Sequence, residues 1–212
     1  MKVGIIDYGV GNIGSVYNAV KKLDYDATII KDSKQVKNFD KLILPGVGNF
    51  SKSKRILDIN GWSENIIENI KLKGKSILGI CLGMQLLAES GKEGETNSKN
   101  HTKGLGLIEG NVESLSIQGC YERLPHMGWN SIKWTQESFM NKRIPSDTDF
   151  YFVHSYSFIP KNKKAIYAVT NYSIPIVSVV GKENIWGVQF HPEKSSKAGF
   201  LILQNFLENN NA

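Results

Sequence analysis

Short apolar runs alternate with amphipathic segments along the first half of the chain. After the apolar run at 2–6, residues 13–23 carry apolar side chains at the spacing of one helix face, and residues 64–72 are also amphipathic. Both segments are predicted to be helices, and the second is ended by Lys73-Gly74-Lys75. Helices that alternate with strands in this way predict a parallel sheet covered by helices. The strands predicted in this half are 2–6, 27–30, 41–44 and the run that starts at residue 76.

The second half of the chain has a strand-rich pattern. A polar stretch at 90–104 has no aliphatic or aromatic residue and is predicted to be a loop, with His101 in solvent. Turns of Gly, Asn, Lys and Pro then separate apolar runs that favour mostly antiparallel strands, and a helix is predicted at 197–208. We therefore expect an α/β fold of one domain, residues 1–212. The strands predicted in this half are 105–108, 112–117, 132–134, 150–158, 166–169, 176–180 and 185–190.

Composition and charge exclude several classes of protein. Hydrophobic residues make up 41% of the 212 residues and charged residues 22%, which is typical of a globular protein. The net charge is +6, but the lysines are scattered without interleaved aromatic residues, so we expect no nucleic-acid partner. No apolar run has the length of a membrane span and the N-terminus is not that of a signal peptide, so we expect a cytoplasmic protein. The two cysteines, Cys81 and Cys120, are expected to be reduced thiols, and no metal-ligand spacing is present.

The segment Ser76–Leu87 has the form of a nucleophile elbow. An apolar run ends at Cys81, which stands between Gly79 and Gly83, and an apolar, helix-favouring run follows. The two glycines let a strand and a helix approach closely around a strained residue. The start of the helix offers backbone N–H groups that stabilise a thiolate and an oxyanion. On this segment alone, a buried core cysteine is an equally good interpretation.

The first predicted strand-to-helix turn matches a different motif. Gly9–Gly14 fits G-x-G-x-x-G, and Asp32 follows near the end of the next strand, where an acid that binds ribose is found. A dinucleotide-binding or regulatory protein is therefore an alternative. Asp7 and Tyr8 count against it, because they place a carboxylate close to where a pyrophosphate would bind.

Two further segments complete a catalytic set. The run 185–190 ends in His191-Pro192-Glu193, and residues two apart in an extended segment share a face, so Glu193 can orient the His191 imidazole. A glycine loop, Gly46-Val47-Gly48, follows the third strand and can present a peptide N–H. All three parts come after strands, so they are predicted to meet at the carboxyl edge of one sheet. Cysteine nucleophile, histidine base and glutamate then form a triad.

These motifs resemble those of the class I glutamine amidotransferases. The resemblance is carried by Gly79–Gln85 and Gln189–Glu193. Asp7–Asn12, Pro45–Gly48, Pro125–Asn130 and Tyr151–Tyr156 are similar to segments of the glutaminase subunits of imidazole glycerol phosphate synthases. The resemblance covers residue 3 to about 207. It implies a flavodoxin-like, doubly wound sheet and a Cys81–His191–Glu193 triad.

The resemblance also implies other roles. Gly46, Val47, Gly48 and Leu82 would form the oxyanion site, and Gln85, Ser155 and Tyr156 would hold the far end of the substrate glutamine. Asn12, Trp129 and Lys194 would face the partner, a barrel-shaped synthase subunit that forms a heterodimer with this chain. His154 is interpreted as structural, and the first glycine turn would face the partner and bind no dinucleotide. No cofactor is expected.

The implied activity is hydrolysis of glutamine to glutamate and ammonia, which passes through a channel to the partner. The partner would make imidazole glycerol phosphate and an aminoimidazole carboxamide ribonucleotide in histidine biosynthesis. Supply of ammonia for amidation of surface sugars is an alternative with the same chemistry. Asn49, the long polar loop at 90–104 and Gly119–Glu122 depart from the family pattern and keep that alternative open.

Overall fold

A computed structural model describes residues 1–95 and 101–209 of the chain. Regular structure begins almost at the first residue, and short 3-10 turns connect several of the elements. The elements are β1 (Lys2–Ile6), α1 (Ile13–Lys22), β2 (Asp26–Ile30), β3 (Lys41–Gly46), α2 (Phe50–Ile59), α3 (Trp62–Lys71), β4 (Ser76–Cys81), α4 (Leu82–Leu86), β5 (Ser90–Gly91), β6 (Thr102–Lys103), β7 (Gly110–Ser114), β8 (His126–Trp134), β9 (Thr148–His154), β10 (Tyr156–Pro160), β11 (Ile166–Tyr172), β12 (Ile174–Lys182), β13 (Ile185–Val188) and α5 (Ser196–Glu208).

One large sheet organises the described residues. Its nine strands follow the order β2-β1-β3-β4-β13-β12-β11-β8-β9. The first five are parallel to one another, and the remaining four are antiparallel. The order of the parallel strands is that of a flavodoxin-like sheet. This confirms the predicted α/β fold with antiparallel strands added in the C-terminal half.

Helices cover both faces of the parallel half, as a doubly wound sheet requires. Side chains of β3 alternate between the two faces, because successive residues of a strand point in opposite directions. Leu42 and Leu44 pack in the same core cluster as α2, α3 and α4. Ile43 packs in the other cluster, which contains the apolar faces of α1 and α5. Burial on both faces accounts for the nearly continuous apolar sequences of these strands.

A small second sheet lies beside the large one. Its strand order is β10-β7-β5-β6. The sequence predicted a single strand over 150–158, but the chain divides it at Ser155 into β9, in the large sheet, and β10, in the small one. The polar stretch 90–104 has the short strands β5 and β6 near its ends, and residues 96–100 of this predicted loop lie outside the described residues.

Two assignments from the sequence were wrong. The helix α2 was missed because polar residues occupy part of its buried face: Ser53 and Lys54 are buried beside Leu57, and Lys54 pairs with Asp58. The predicted strand 105–108 is not a strand. Its backbone N–H groups instead bond the carbonyls at the end of α4 and just after it, as in the 2.8 Å bond from Leu105 to Leu86.

In the ranges 1–95 and 101–209, no helix combines the length and the apolar character needed to cross a membrane.

Candidate active site

Cys81 stands at a sharp turn between β4 and α4. Its backbone has φ 54° and ψ −112°, a conformation that is unfavourable for a side chain larger than that of glycine. The flanking glycines are required by close packing: a Cβ at Gly79 would lie 2.6 Å from the carbonyl carbon of Gly83. A Cβ at Gly83 would lie 1.8 Å from the carbonyl oxygen of Leu44. The geometry is that of the nucleophile elbow expected from the sequence.

The helix behind Cys81 is short. It spans the five residues Leu82–Leu86, and the segment 105–108 satisfies the carbonyl groups at its end. A helix of little more than one turn adds few aligned peptide dipoles. The backbone N–H groups at its start are therefore local hydrogen-bond donors, and other groups must contribute to stabilising a thiolate at Cys81.

His191 and Glu193 lie next to Cys81 because β13 is the parallel neighbour of β4. Val188 pairs with Ile80, so the chain after β13 leaves the sheet at the same edge as the elbow. His191 Nδ1 is 2.9 Å from Glu193 Oε1, and the two side chains are 2% and 1% exposed. A carboxylate accepts this bond, so Nδ1 carries the proton and Nε2 is left to face a thiol.

The extended backbone predicted for His191–Glu193 was wrong. Glu193 does not share a face of an extended segment with His191, because Pro192–Lys194 forms a 3-10 turn. The turn brings the carboxylate back to the imidazole. Ser195 holds the turn in place, since its hydroxyl donates to the carbonyl of His191 at 2.6 Å and accepts from the N–H of Tyr151 at 3.0 Å.

The charge state of His191 is set by opposing effects. Burial lowers the pKa of His191, but the Cys81 thiol and the Glu193 carboxylate outweigh it and raise the pKa above its usual value. Nε2 is buried and makes no hydrogen bond with the described residues. The raised pKa of His191 favours a protonated imidazole beside a Cys81 thiolate, which is the ion pair that a thiol nucleophile requires.

A cavity of about 150 Å³ opens above the sulfur. All the substrate-site residues expected from the sequence line this cavity except Gly46. Of the expected catalytic residues, Cys81 and His191 line it and Glu193 does not. Gly46 pairs with Cys81 in the sheet, and Glu193 contacts the far side of His191. The lining residues are Val47, Gly48, Cys81, Leu82, Gln85, Glu93, Val153, His154, Ser155, Tyr156 and His191. A larger groove, of about 590 Å³ around residues 134–146, contains none of the expected site residues.

Glu93 is a pocket residue that the sequence did not reveal. Its carboxylate accepts a hydrogen bond from the N–H of Phe50 at 3.0 Å, and burial raises its pKa. Glu93 belongs to the stretch 90–104, which reads as a solvated loop. A single glutamate among polar residues carries no signal that it turns toward a cavity.

Gln85 faces the pocket one helical turn after Cys81, as expected. Its Nε2 donates to the carbonyl of Tyr156 at 2.9 Å and to Gln189 Oε1 at 3.1 Å. Its amide oxygen makes no hydrogen bond to the described residues and can accept one from a ligand. Gln189 donates in turn to Cys81 Sγ at 3.6 Å, a contact that the sequence pattern does not predict.

His154 is buried and neutral. Burial lowers its pKa to about 3, and its Nδ1 lies 2.8 Å from the carbonyl of Tyr156 while its Nε2 lies 3.0 Å from His126 Nδ1. Both ring nitrogens are therefore engaged within the protein. The contacts fit the structural interpretation, although the ring forms part of the pocket wall.

Two of the three residues expected to face a partner converge on Tyr151. Trp129 is 55% exposed and stacks edge-on against Tyr151, and Lys194 places its ammonium 5.6 Å from the centre of the same ring. Asn12 is half-buried at the start of α1, a helix that also contacts the turn 192–194.

The first glycine turn uses its polar groups internally. The Asp7 carboxylate accepts from the N–H of Gly9 at 3.1 Å, which a pyrophosphate would need. Asp32 caps the 3-10 turn 33–38 through the N–H of Lys34 at 3.0 Å. No atom lies within 4 Å of a Cβ at Gly14, so this glycine is not needed for close helix–strand packing. These contacts argue against the dinucleotide interpretation.

Comparison with known families agrees with this fold. The family model described as glutamine amidotransferase class-I matches residues 4–210, so the chain belongs to that family. A solved structure titled "Crystal structure of glutamine amidotransferase" superposes with a TM-score of 0.74 at 17% identity, and covers 97% of each chain. The structure of PurLQS from Thermotoga maritima gives a TM-score of 0.74 at 16% identity, again over 97% of each chain.

More similar sequences narrow the family. A protein of Caldanaerobacter subterraneus subsp. tengcongensis, named imidazole glycerol phosphate synthase subunit HisH, is 47% identical over 97% of each chain. A protein of the same name from Pelagibacter ubique is 44% identical and covers 98% of this chain and 99% of its own. Identity at this level over nearly the full length means that the chain belongs to the HisH family of synthase subunits.

Proposed function

We propose that this chain is the glutaminase subunit of an imidazole glycerol phosphate synthase and acts in histidine biosynthesis. The observation that carries the proposal is the meeting of Cys81 with the buried His191–Glu193 pair at a cavity, on neighbouring parallel strands. Relatives over the full length are named as subunits of this synthase. In this proposal residues 1–212 form one catalytic domain that works in the cytoplasm without a cofactor.

The proposed reaction uses the thiol as a nucleophile. The Cys81 thiolate attacks the side-chain amide carbon of glutamine, and N–H groups of Leu82 and of the Gly46–Gly48 loop stabilise the oxyanion. His191 gives its proton to the departing nitrogen. The C–N bond then breaks, ammonia leaves, and a thioester to Cys81 remains. His191 then takes a proton from water, whose oxygen attacks the thioester carbon and releases glutamate and the thiolate. Glu193 keeps the imidazole oriented through both steps.

The far end of glutamine carries an ammonium and a carboxylate that the pocket must recognise. Glu93 and the free amide oxygen of Gln85 supply the acceptors that an ammonium requires. Backbone groups of Ser155 and Tyr156, which line the same wall, are proposed to contact this end as well. The negative charge of Glu93 then favours an amino acid over a simple amide.

A synthase needs a second subunit to use the ammonia. We propose a barrel-shaped partner that binds at Asn12, Trp129 and Lys194 in a heterodimer, receives ammonia through a channel and makes imidazole glycerol phosphate and an aminoimidazole carboxamide ribonucleotide. Ammonia released into water would be protonated and lost as a nucleophile. The Trp129–Tyr151–Lys194 cluster supports this surface, since exposed aromatic side chains are enriched at interfaces. A synthase that amidates surface sugars is the second candidate partner, and co-purification identifies which one binds.

Free glutaminase activity would waste glutamine, so we propose that the Gly46–Gly48 loop is inactive until the partner binds its own substrate. Gly48 has φ +90°, a conformation from which a peptide plane can turn at low cost. Glutamine turnover is expected to rise when the loaded partner is added. Equal turnover by the isolated chain and by the loaded complex would rule out this switch.

The test of the nucleophile is Cys81→Ala beside Cys120→Ala, which removes the other thiol. Cys81→Ala is expected to lower glutamine hydrolysis at least about 10⁴-fold, the scale seen when a catalytic nucleophile is removed, while partner binding persists. Cys120→Ala is expected to retain activity, because Cys120 packs in a separate cluster with Leu115 and Ile176. Activity that survives in Cys81→Ala would refute the proposed chemistry and revive a regulatory role.

A further inference from the structure

Two buried histidines on neighbouring strands, His126 on β8 and His154 on β9, are hydrogen-bonded to each other, and His126 also bonds Asn130 of β8. His154 Nδ1 lies 2.8 Å from the Tyr156 carbonyl, and its Nε2 lies 3.0 Å from His126 Nδ1. His126 Nε2 lies 3.2 Å from the side-chain nitrogen of Asn130, which also donates to the carbonyl of Asn171 at 3.0 Å. The ring of His126 is held between Phe152 and Tyr172, with centroid distances of 4.8 and 4.2 Å.

These contacts fix where each proton lies. A carbonyl oxygen only accepts, so His154 Nδ1 carries the proton that it donates to Tyr156. His154 is neutral, so its Nε2 is an acceptor and His126 Nδ1 must donate to it. His126 is also neutral, because burial lowers its pKa to about 4, and its Nε2 accepts from the amide of Asn130. The three hydrogen bonds from Asn130 to His126, from His126 to His154 and from His154 to Tyr156 therefore all run toward the Tyr156 carbonyl.

The same carbonyl fixes the orientation of two buried glutamine amides. The Gln85 atom 2.9 Å from the Tyr156 carbonyl must be nitrogen, because two oxygens cannot bond there. That nitrogen also lies 3.1 Å from the Gln189 amide, whose facing atom must then be oxygen. Gln189 Nε2 is left to point at Cys81 Sγ, at 3.6 Å. Gln189 is fully buried, so no water competes for this donor.

The contacts of the sulfur have opposite preferences. The carbonyl of Val153 lies 3.8 Å from Cys81 Sγ and can accept only from a protonated thiol. The Gln189 amide is an N–H donor, which binds a thiolate more strongly than a thiol. Since α4 has only five residues, the side-chain donor supplies stabilisation that a longer helix would provide.

We infer that Gln189 is a positioning residue that stabilises the Cys81 thiolate, and that the Tyr156 carbonyl, acting through Gln85, keeps the Gln189 N–H group directed at the sulfur. The inference rests on the proposed function in taking Cys81 as the nucleophile. It adds a fourth side chain to the triad, one that acts on the sulfur before glutamine binds.

The test is the rate at which iodoacetamide alkylates Cys81 as a function of pH, read by mass spectrometry on the full-length chain. Gln189→Met keeps a similar volume and removes the donor. It is expected to slow alkylation of Cys81 at pH 7 about tenfold and to move the midpoint of the profile up by about one pH unit, the scale of one hydrogen bond to a charged group. Alkylation of Cys120 in the same sample serves as the internal control.

Gln118→Met is the matched variant, since Gln118 bonds the carbonyl of Glu113 and the hydroxyl of Ser157 outside this chain of contacts. It is expected to leave the Cys81 profile unchanged. An unchanged profile in folded Gln189→Met, or an equal shift in Gln118→Met, would overturn the inference.

A titration of the unsubstituted protein covers the case in which Gln189→Met does not fold. The side-chain amide proton of Gln189, followed by NMR, is expected to move downfield at the pH midpoint of Cys81 alkylation. An amide resonance that stays flat across that pH would equally overturn the inference. Neither measurement needs glutamine, so a chain that fails to hydrolyse glutamine would defeat the proposed function and leave the role of Gln189 to be decided separately.

Discussion

The strand-to-helix turns at 79–83 and 9–14 are both rich in glycine, but their glycines serve different purposes. In the turn at 79–83, a Cβ on Gly79 or Gly83 would collide with backbone atoms at 2.6 and 1.8 Å. In the turn at 9–14, Gly9 and Gly14 have no atom within 4 Å of that position. Gly79 and Gly83 make room for close packing, whereas Gly9 only permits a positive φ of 90°.

The difference shows why one motif indicated a catalytic site and the other did not indicate a cofactor. Strain concentrates at Cys81, a non-glycine residue at positive φ, and tight packing on both sides holds it there. The turn at 9–14 has glycine wherever its φ is positive, so its backbone is relaxed. In this chain, the glycine spacing marks a functional site where neighbouring backbone atoms leave no room for a side chain.

The sharpest way to break this contrast is Gly83→Ala. The added Cβ would lie 1.8 Å from the carbonyl of Leu44, and neither the strand nor the short helix can move without disturbing the sheet. We expect a loss of more than about 4 kcal/mol in the free energy of unfolding, or no folded protein. Urea denaturation followed by circular dichroism measures it. A loss below 1 kcal/mol would show that the close approach is not required.

The region of the elbow is also expected to make the free energy of unfolding depend on pH, because buried histidines lie beside it. His126 and His154 have folded pKa values of about 4 and about 3, below the unfolded value of 6.5. At these two sites the unfolded chain binds more protons below pH 6.5, so the stability that the pair contributes is full above pH 6.5 and falls as the pH drops toward 4. The loss is at most about 1.4 kcal/mol per histidine per pH unit.

Urea denaturation at several pH values measures this slope. His126→Phe, which preserves the stacking of the ring, is expected to make the slope shallower, and substitution of the exposed His101 by Asn is expected to leave it unchanged. An identical slope in His126→Phe would contradict the neutral state assigned to the buried pair.

Strain at the two turns can be compared directly by exchanging residue types. Cys81→Gly removes the side chain that is unfavourable at φ 54°, so it is expected to be about 1 kcal/mol more stable than Cys81→Ala. Gly9→Ala introduces the same kind of strain at φ 90° and is expected to cost about 1 kcal/mol. Thermal denaturation of the three variants gives both differences. If Cys81→Gly and Cys81→Ala are equally stable, the elbow holds no backbone strain.

The smallest effect is expected from Gly14→Ala. Gly14 lies within α1 and has open space around it, so alanine gains helix propensity of up to about 1 kcal/mol without a clash. Thermal denaturation is expected to show an unchanged or higher midpoint. A clear loss of stability would mean that this glycine packs closely against the strand, as a dinucleotide-binding turn requires.

The sequence was most informative where the chemistry depends on strand ends. Cys81, His191 and the Gly46–Gly48 loop each follow an apolar run, and parallel strands bring such ends together whatever the details of the loops. Periodicity was less informative where polar residues are buried, because Lys54 and Asp58 satisfy each other and hide the helix α2. It also failed for 105–108, whose apolar residues pack while their N–H groups bond the end of α4.

The contacts that orient the side chains of the site could not be predicted from the sequence pattern. Glu93 lines the cavity from a stretch that looks solvated, and Gln189 reaches Cys81 because β13 and β4 are neighbours in a particular register. The pairing of His191 with Glu193 was expected, but from an extended segment and not from the 3-10 turn that forms it. Such contacts depend on side-chain direction and register, which are tertiary properties.

The strands β4 and β13 stand fourth and fifth among the nine of the large sheet. Strands at the centre of a sheet exchange their amide hydrogens only when the whole domain opens, whereas edge strands fray. The elbow and the histidine are thus anchored in the layer that we expect to exchange most slowly. Damage that disorders this layer removes the fold together with the activity, so a population of intact but misaligned enzyme has little chance to accumulate.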